Sequence, residues 1–219
     1  MVRNKLSCLM LTAALVSGAD SPGWVSKSNQ NARVLLEITA RYYPEFAGQS
    51  GVSGLDDKII DLKPKSGERR TQETIRAAKT LEARLDAETD PLVRQDLEIL
   101  IKAAEQNVHE FELNEKYYIP YRDVMQTIFG GIQALLDDQV AAARRPAALT
   151  RLRRYTGLET GYTPLTVLAE RRTREKLNEP SLRGPATVRV NKDLANTKFF
   201  VDGIGELFEK YKIAGYQDA

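Results

Sequence analysis

The chain has 219 residues, of which 42% are hydrophobic and 28% charged, and its formal net charge is +2. That length can bury one large core or two small ones, and the composition is ordinary for a soluble globular protein. A charge so near zero excludes a global electrostatic pull toward nucleic acid or an acidic substrate.

The first residues read as a targeting segment. Arg3 and Lys5 precede an uncharged, mostly apolar run from Leu6 to Val16, and Ser17-Gly18-Ala19 offers small residues for cleavage after Ala19. The run is well short of the roughly 20 residues that span a bilayer. The expectation is a signal peptide over 1–19, an exported protein in the periplasm or outside the cell, and one helical domain over 20–219. A membrane anchor or a buried first helix is the other reading. Cys8 is the only cysteine, so the mature chain would hold no disulfide and no thiolate metal site.

After this segment, Trp24, Leu35, Ile38 and Tyr42 mark a first helix that Pro44 ends. Phe46 to Lys65 is a glycine-rich connection with an apolar clip, Ile59, Ile60 and Leu62, read as extended in preference to a short strand. A second helix over about Glu68 to Glu88 turns Ile75, Ala78, Leu81 and Leu85 inward.

Thr89-Asp90-Pro91 then starts the longest helix, with Asp90 as N-cap and Pro91 where a missing N–H is harmless. Val93, Leu97, Leu100, Ile101, Ala104, Val108 and Phe111 share one face of this spine, about six turns at 3.6 residues per turn. So short a turn predicts that the second helix and the spine pack antiparallel.

Pro120 interrupts the pattern. The next helix is expected over Val124 to Ala142, with Val124, Ile128, Ile132, Leu135 and Leu136 inward and Gly130-Gly131 in its middle. A close helix contact is the first explanation of the pair, and a hinge or ligand approach the second. Pro146 opens a short helix to Tyr155, closed by Gly157. Thr163 and Pro164 read as N-cap and first residue of a helix to about Leu177. Two last helices, Thr187 to Asn196 and Lys198 to Tyr211, follow a loop; Phe200, Ile204, Leu207, Phe208 and Tyr211 face inward in the second. Ala186 to Val190 also alternates as a short strand would. The architecture expected is all-α, an antiparallel bundle-like array of about seven helices.

Familiar catalytic patterns are missing. His109-Glu110 invites comparison with the HExxH zinc helix, but Leu113 stands where the second imidazole is needed, and His109 is the only histidine. There is no GxSxG elbow, no GxxxxGK[ST] loop and no GxGxxG turn. Glu98, Glu105 and Glu112 share a spine face, and that spacing reads as a solvated surface. No catalytic or metal-ligating residue is assigned.

Charge is unevenly spread. Glu82 to Glu115 carries a balance of −7, and Arg144 to Lys176 one of +6. The second block, with Arg151, Arg154, Arg171 and Arg174 among its members, offers a basic contact surface. A nucleic-acid face is one reading, set aside for an exported protein in favour of solvated faces or attraction between the two blocks. Tyr117, Tyr118 and Tyr121 form an aromatic cluster that lines a cleft or closes the core.

The stretches WVSKSNQNARVLLEITARYYPE, IIDLKP, DPLVRQDLEILI, ELNEKYYIPYRDV, DDQVAAARRPAALTRLRRYTGLETGYTPLTVLAERR and DLANTKFFVDGIGELFEKYKIAGY together resemble the N-terminal part of a bacterial family. That family is domain of unknown function 885, exported, mostly helical, zincin-like metallohydrolases or peptidases. The resemblance implies a region forming one wall of a substrate cleft and docking on a C-terminal catalytic half. It implies zinc for the full-length family, held by a later histidine-glutamate motif that no residue here matches, so this chain would hold none and be inactive alone. The expectation is roughly the first third of such a protein. The alternative is a free-standing helical module that binds an envelope protein.

Overall fold

A computed structural model describes residues 22–219; the expected signal peptide and Cys8 lie outside the described residues. The elements are α1 (Gly23–Tyr42), α2 (Pro44–Gln49), α3 (Ser66–Ala87), α4 (Pro91–Tyr117), α5 (Val124–Gln133), a 3-10 turn (Ala142–Arg144), α6 (Ala147–Thr156), α7 (Leu165–Lys176), α8 (Thr187–Ala195) and α9 (Thr197–Lys210). Among the described residues there is no strand, only an isolated parallel bridge between Tyr118 and Arg183. The fold is all-α.

The helices bury two apolar clusters. In the first, Leu81 of α3 meets Val93 and Leu97 of α4, with Trp24, Val34 and Leu35 of α1 closing over them. Asp90 caps α4 by accepting the Leu92 N–H at 2.9 Å, as its side chain and the following proline predict. Arg94 reaches back from α4 and donates to the carbonyls of Leu85 and Glu88 at 2.7 and 2.9 Å. Those carbonyls end α3, where Leu85 otherwise has only the long 3.3 Å bond from the Glu88 N–H. The three-residue link and this back-reaching arginine fold α3 and α4 onto each other, and among the described residues they make the most extensive helix contact.

The second cluster joins α5, α6, α7 and α9 through Ile128, Ile132, Leu152, Tyr155, Leu165, Ile204 and Phe208. Ile60 and Leu62 of the extended clip are buried in it, so the connection that crosses from one cluster to the other is itself core. Pro44 both ends α1 and opens α2, a helix the sequence reading left within the connection.

Three boundaries differ from expectation. α4 runs 27 residues to Tyr117, beyond the last apolar residue of its stripe. α5 stops at Gln133, not Ala142, although Leu135 and Leu136 remain buried in turns beyond it. There the Asp137 side chain accepts the Gln139 N–H at 2.8 Å, and Arg145 takes the Asp137 and Asp138 carbonyls. A local side-chain bond of this kind offers the backbone an alternative to helix. α7 begins at Leu165 with Pro164 as its cap residue, so Thr163 is not the cap.

Candidate functional site

One face of α4 changes character along its length. Val93, Leu97 and Ala104 are buried against neighbouring helices. Continuing the same spacing, Asn107, Glu110, Phe111, Asn114, Glu115 and then Tyr118 just past the helix end face a concavity of about 710 Å³. Its floor is the link Ile119–Arg122, and its other walls are Ala169, Arg172 and Thr173 of α7, Arg70 of α3 and Tyr43 between α1 and α2. Arg183, Gly184 and Pro185 of the loop before α8, with Arg189 of α8, form the rim.

The link is held in place by backbone and side-chain bonds. The Arg183 N–H donates to the Tyr117 carbonyl and the Ile119 N–H to the Arg183 carbonyl, both at 2.9 Å. The Thr173 hydroxyl donates to the Pro120 carbonyl at 2.7 Å. Gly67 lets the wall close. A Cβ there would lie 2.5 Å from the Phe111 ring and 3.1 Å from Arg172 Nη2, so a larger residue would have to push both side chains aside.

Five arginines and two glutamates line the concavity. Arg189 lies 5.3 Å from the Tyr121 ring centroid and pairs with Asp193 at 3.8 Å, while Glu115 is taken by Lys176 at 3.2 Å. The Tyr121 hydroxyl donates to Asp193 at 2.9 Å. Burial, then that hydrogen bond and the Asp193 charge, push the Tyr121 phenol up to about 12. Arg70 stacks on Tyr43 at 5.3 Å, and its Nε is buried without a partner. Arg172 makes one long hydrogen bond, 3.3 Å, to the Ser66 hydroxyl.

Arg122 stands apart from these. Its side chain is open to solvent through the concavity, yet protein crowds around it. Desolvation lowers its pKa, and the positive charges of Arg172 and Arg70 push the same way against Tyr43 and Glu45.

The structure separates the residues grouped by the sequence. Tyr118 and Tyr121 line the concavity, while Tyr117 faces away, exposed beside Lys116. None of the three closes the core. The basic block is not one surface. Arg151 is only 2% exposed and donates to the carbonyls of Gly131 at 2.7 Å and Leu55 at 2.8 Å. Arg154 pairs with Asp57 at 2.6 Å and Arg144 with Asp56 at 2.7 Å. Burial alone would raise Asp57, but the Arg154 hydrogen bond and charge outweigh it and hold the carboxyl low. The Arg144 bond, set against burial, leaves Asp56 below the usual carboxylate range. Arg171 and Arg174 are exposed, the latter paired with Glu170 one turn away. The contact surface expected of Arg151 and Arg154 is therefore corrected: their charges fasten the connection before α3 onto α6. Lys176 with Glu115 is the one ion pair found between the acidic and basic blocks among the described residues.

His109 is exposed on α4, and no group of three or more histidine, cysteine, aspartate or glutamate side chains among the described residues is placed to hold an ion.

Arg70, Arg122, Arg183 and Arg189 were not singled out by the sequence reading. The usable signal was the end of the apolar stripe at Phe111 while helix-forming residues continued, with Arg122 just after the following proline. The class defined by fold and site is an all-α protein with an arginine-lined cleft. Comparison with family models, with curated proteins and with solved structures gives no match to this chain.

Proposed function

We propose that this chain is the helical, substrate-cleft-forming region of a zincin-like hydrolase, and that the concavity between α4 and α7 receives the substrate. The observation that carries the reading is the switch on one face of α4 from Val93, Leu97 and Ala104 to Asn107, Asn114 and Tyr118. A helix face that leaves the core and enters a concavity with amide and phenol groups around Phe111 is suited to a ligand better than to packing. The volume lies in the range of roughly 300–1,000 Å³ usual for small-molecule sites, and the quoted segments resembling the hydrolase family support the setting. The described residues do not fit a zinc ion, so no bond-breaking step is assigned to them. Their part is to bind and orient.

A titration of the isotope-labelled protein with uncharged, doubly blocked dipeptides tests this by nuclear magnetic resonance. Shifts should concentrate at Tyr118, Ile119, Thr173 and Gly184. Shifts confined to other surfaces would overturn the reading, as would no response from a panel of varied side chains.

The alternative, a free-standing module that binds an envelope protein, draws on the outer face of α8 and α9. Val188 is 81% exposed, and Leu194, Phe199 and Val201 are also exposed. Large apolar side chains clustered at one edge mark macromolecular contacts more often than solvent faces. The same face would serve the docking of a catalytic half.

A further inference from the structure

Arginine stays charged at neutral pH, and clustering several without carboxylates is unfavourable unless something else neutralises them. The ion pairs among the described residues engage Arg41, Arg69, Arg144, Arg154, Arg174 and Arg189. None involves Arg70, Arg122 or Arg172, although all three face the same concavity and lie close enough for Arg70 and Arg172 to act on Arg122. Their hydrogen bonds are equally sparse. Arg122 makes none with another described side chain or carbonyl, Arg70 leaves a buried Nε unpaired, and Arg172 holds only the Ser66 hydroxyl. Of the two glutamates that line the concavity, Glu115 is taken by Lys176 and Glu110 forms no ion pair or hydrogen bond with any of the three. Glu45, whose charge also acts on Arg122, accepts the Tyr155 hydroxyl and the Ile60 N–H. Phe111, Tyr118, Ile119 and Pro120 meanwhile give the same space an apolar and aromatic side.

We propose that Arg122, flanked by Arg70 and Arg172, is the anion-binding centre of this cleft and takes an oxyanion, carboxylate or phosphate, carried on an aromatic or apolar body. The proposal rests on the reading of the concavity as a ligand site and narrows its substrate class. A guanidinium presents its N–H groups in a flat fork that meets two oxygens of an oxyanion at once. Neither Arg70 nor Arg122 makes a side-chain hydrogen bond among the described residues, but Arg70 lies over the Tyr43 ring with its Nε buried, whereas Arg122 is exposed, so its fork is the free one. The flanking arginines add positive potential in a partly desolvated space, where each charge is screened less than at an open surface. The aromatic wall then accepts the body of the ligand. The arrangement carries unfavourable like-charge contact in the unliganded protein, as sites built for charged ligands do.

The test uses the whole purified chain and three probes that share a phenyl body: hippurate with a carboxylate, phenyl phosphate, and hippuramide, the uncharged amide of hippurate. Isothermal titration should show at least one anion binding about tenfold or more tighter than hippuramide, the discrimination expected of a charge-assisted fork. That preference should shrink with added salt. Arg122→Gln should abolish it while leaving the melting temperature unchanged or higher, because removing a charge that has no partner relieves repulsion. Should Arg122→Gln fail to fold, Arg172→Gln is read by the same ratio and should lower it. Equal binding of hippurate, phenyl phosphate and hippuramide in the cleft overturns the anion assignment while leaving the cleft as a ligand site. Binding by none of the three overturns both. Retention of the preference in Arg122→Gln also overturns the assignment. Within a positive result, the stronger of the two anions separates a peptide-like carboxylate from a phosphoryl ligand.

Discussion

Arg151 joins three parts of the chain through its two Nη groups: α6, which carries it, α5 through the Gly131 carbonyl, and the connection before α3 through the Leu55 carbonyl. Its place was legible in the sequence, though its role was not. Ala148, Arg151, Leu152 and Tyr155 recur at the three- and four-residue spacing of a buried helix stripe, and all four are buried. Counting charges along the segment obscured that spacing, because a charged residue on an apolar face is assigned to solvent unless its acceptors are known. Those acceptors are backbone carbonyls 20 and 96 residues away. Arg151→Ala should therefore destabilise the fold by about 2–3 kcal/mol, since it opens a cavity and leaves the buried Gly131 carbonyl without a donor, while the Leu55 carbonyl keeps the Lys58 N–H. Arg174→Ala, on an exposed pair, should change stability by no more than about 0.5 kcal/mol. Urea denaturation of the two variants measures the difference, and equal losses would return Arg151 to the surface class.

At the scale of the element, α5 separates its two adjacent glycines into different jobs. A Cβ on Gly131 would overlap the Tyr155 hydroxyl, whereas a Cβ on Gly130 meets nothing within 4 Å. The close helix contact expected of the pair thus belongs to Gly131 alone, and it lets α6 bring Tyr155 against α5. Gly130→Ala should raise stability by up to about 1 kcal/mol through helix propensity. Gly131→Ala should lower it by about 1–3 kcal/mol, because Tyr155 is buried and cannot swing aside. Thermal melts of the two alanine variants check the opposite signs; a shift of the same sign in both would mean that the contact is not what fixes Gly131. Helix existence was readable from periodicity throughout, and capping by Asp90 was readable from its side chain. The ends of α4 and α5 were not. α4 outlasts its apolar stripe because the cleft side of a helix needs no apolar residues. α5 stops short of its stripe because an aspartate side chain captures the backbone.

Over the whole molecule, the two apolar clusters are tied by side chains far apart in sequence, and this is the level at which sequence patterns say least. Glu45 in the first turn of α2 accepts the Tyr155 hydroxyl at 2.6 Å and the Ile60 N–H at 2.8 Å. One carboxylate oxygen thereby fastens the clip and α6 to α2. Tyr42 beside it donates to Glu73 of α3 at 2.8 Å. Nothing in the composition around Pro44 marks Glu45 as a junction, since its partner lies 110 residues on. The same links make the fold sensitive to alkali. Burial first, then the Glu45 charge and hydrogen bond, raise the Tyr155 phenol well above its ordinary value. Burial and Glu73 raise Tyr42, and Tyr121 stands at about 12. In the unfolded chain these phenols release their protons near pH 10. Above that pH the folded state holds protons that the unfolded state has lost, so stability falls as pH rises. The contribution is complete below about pH 10 and for Tyr121 is lost between about 10 and about 12. Denaturation midpoints measured from pH 8 upward should decline through this window. Tyr155→Phe should be less stable than the parent at pH 8 by about 1–2 kcal/mol, because the hydrogen bond to Glu45 is gone. It should also decline less steeply above pH 10, because one of the titrating phenols has been removed. Lysines and the other tyrosines titrate in both proteins, so the difference in slope isolates Tyr155. Parallel declines would show that Tyr155 ionises alike in the folded and unfolded chains, and that the junction at Glu45 does not hold its proton.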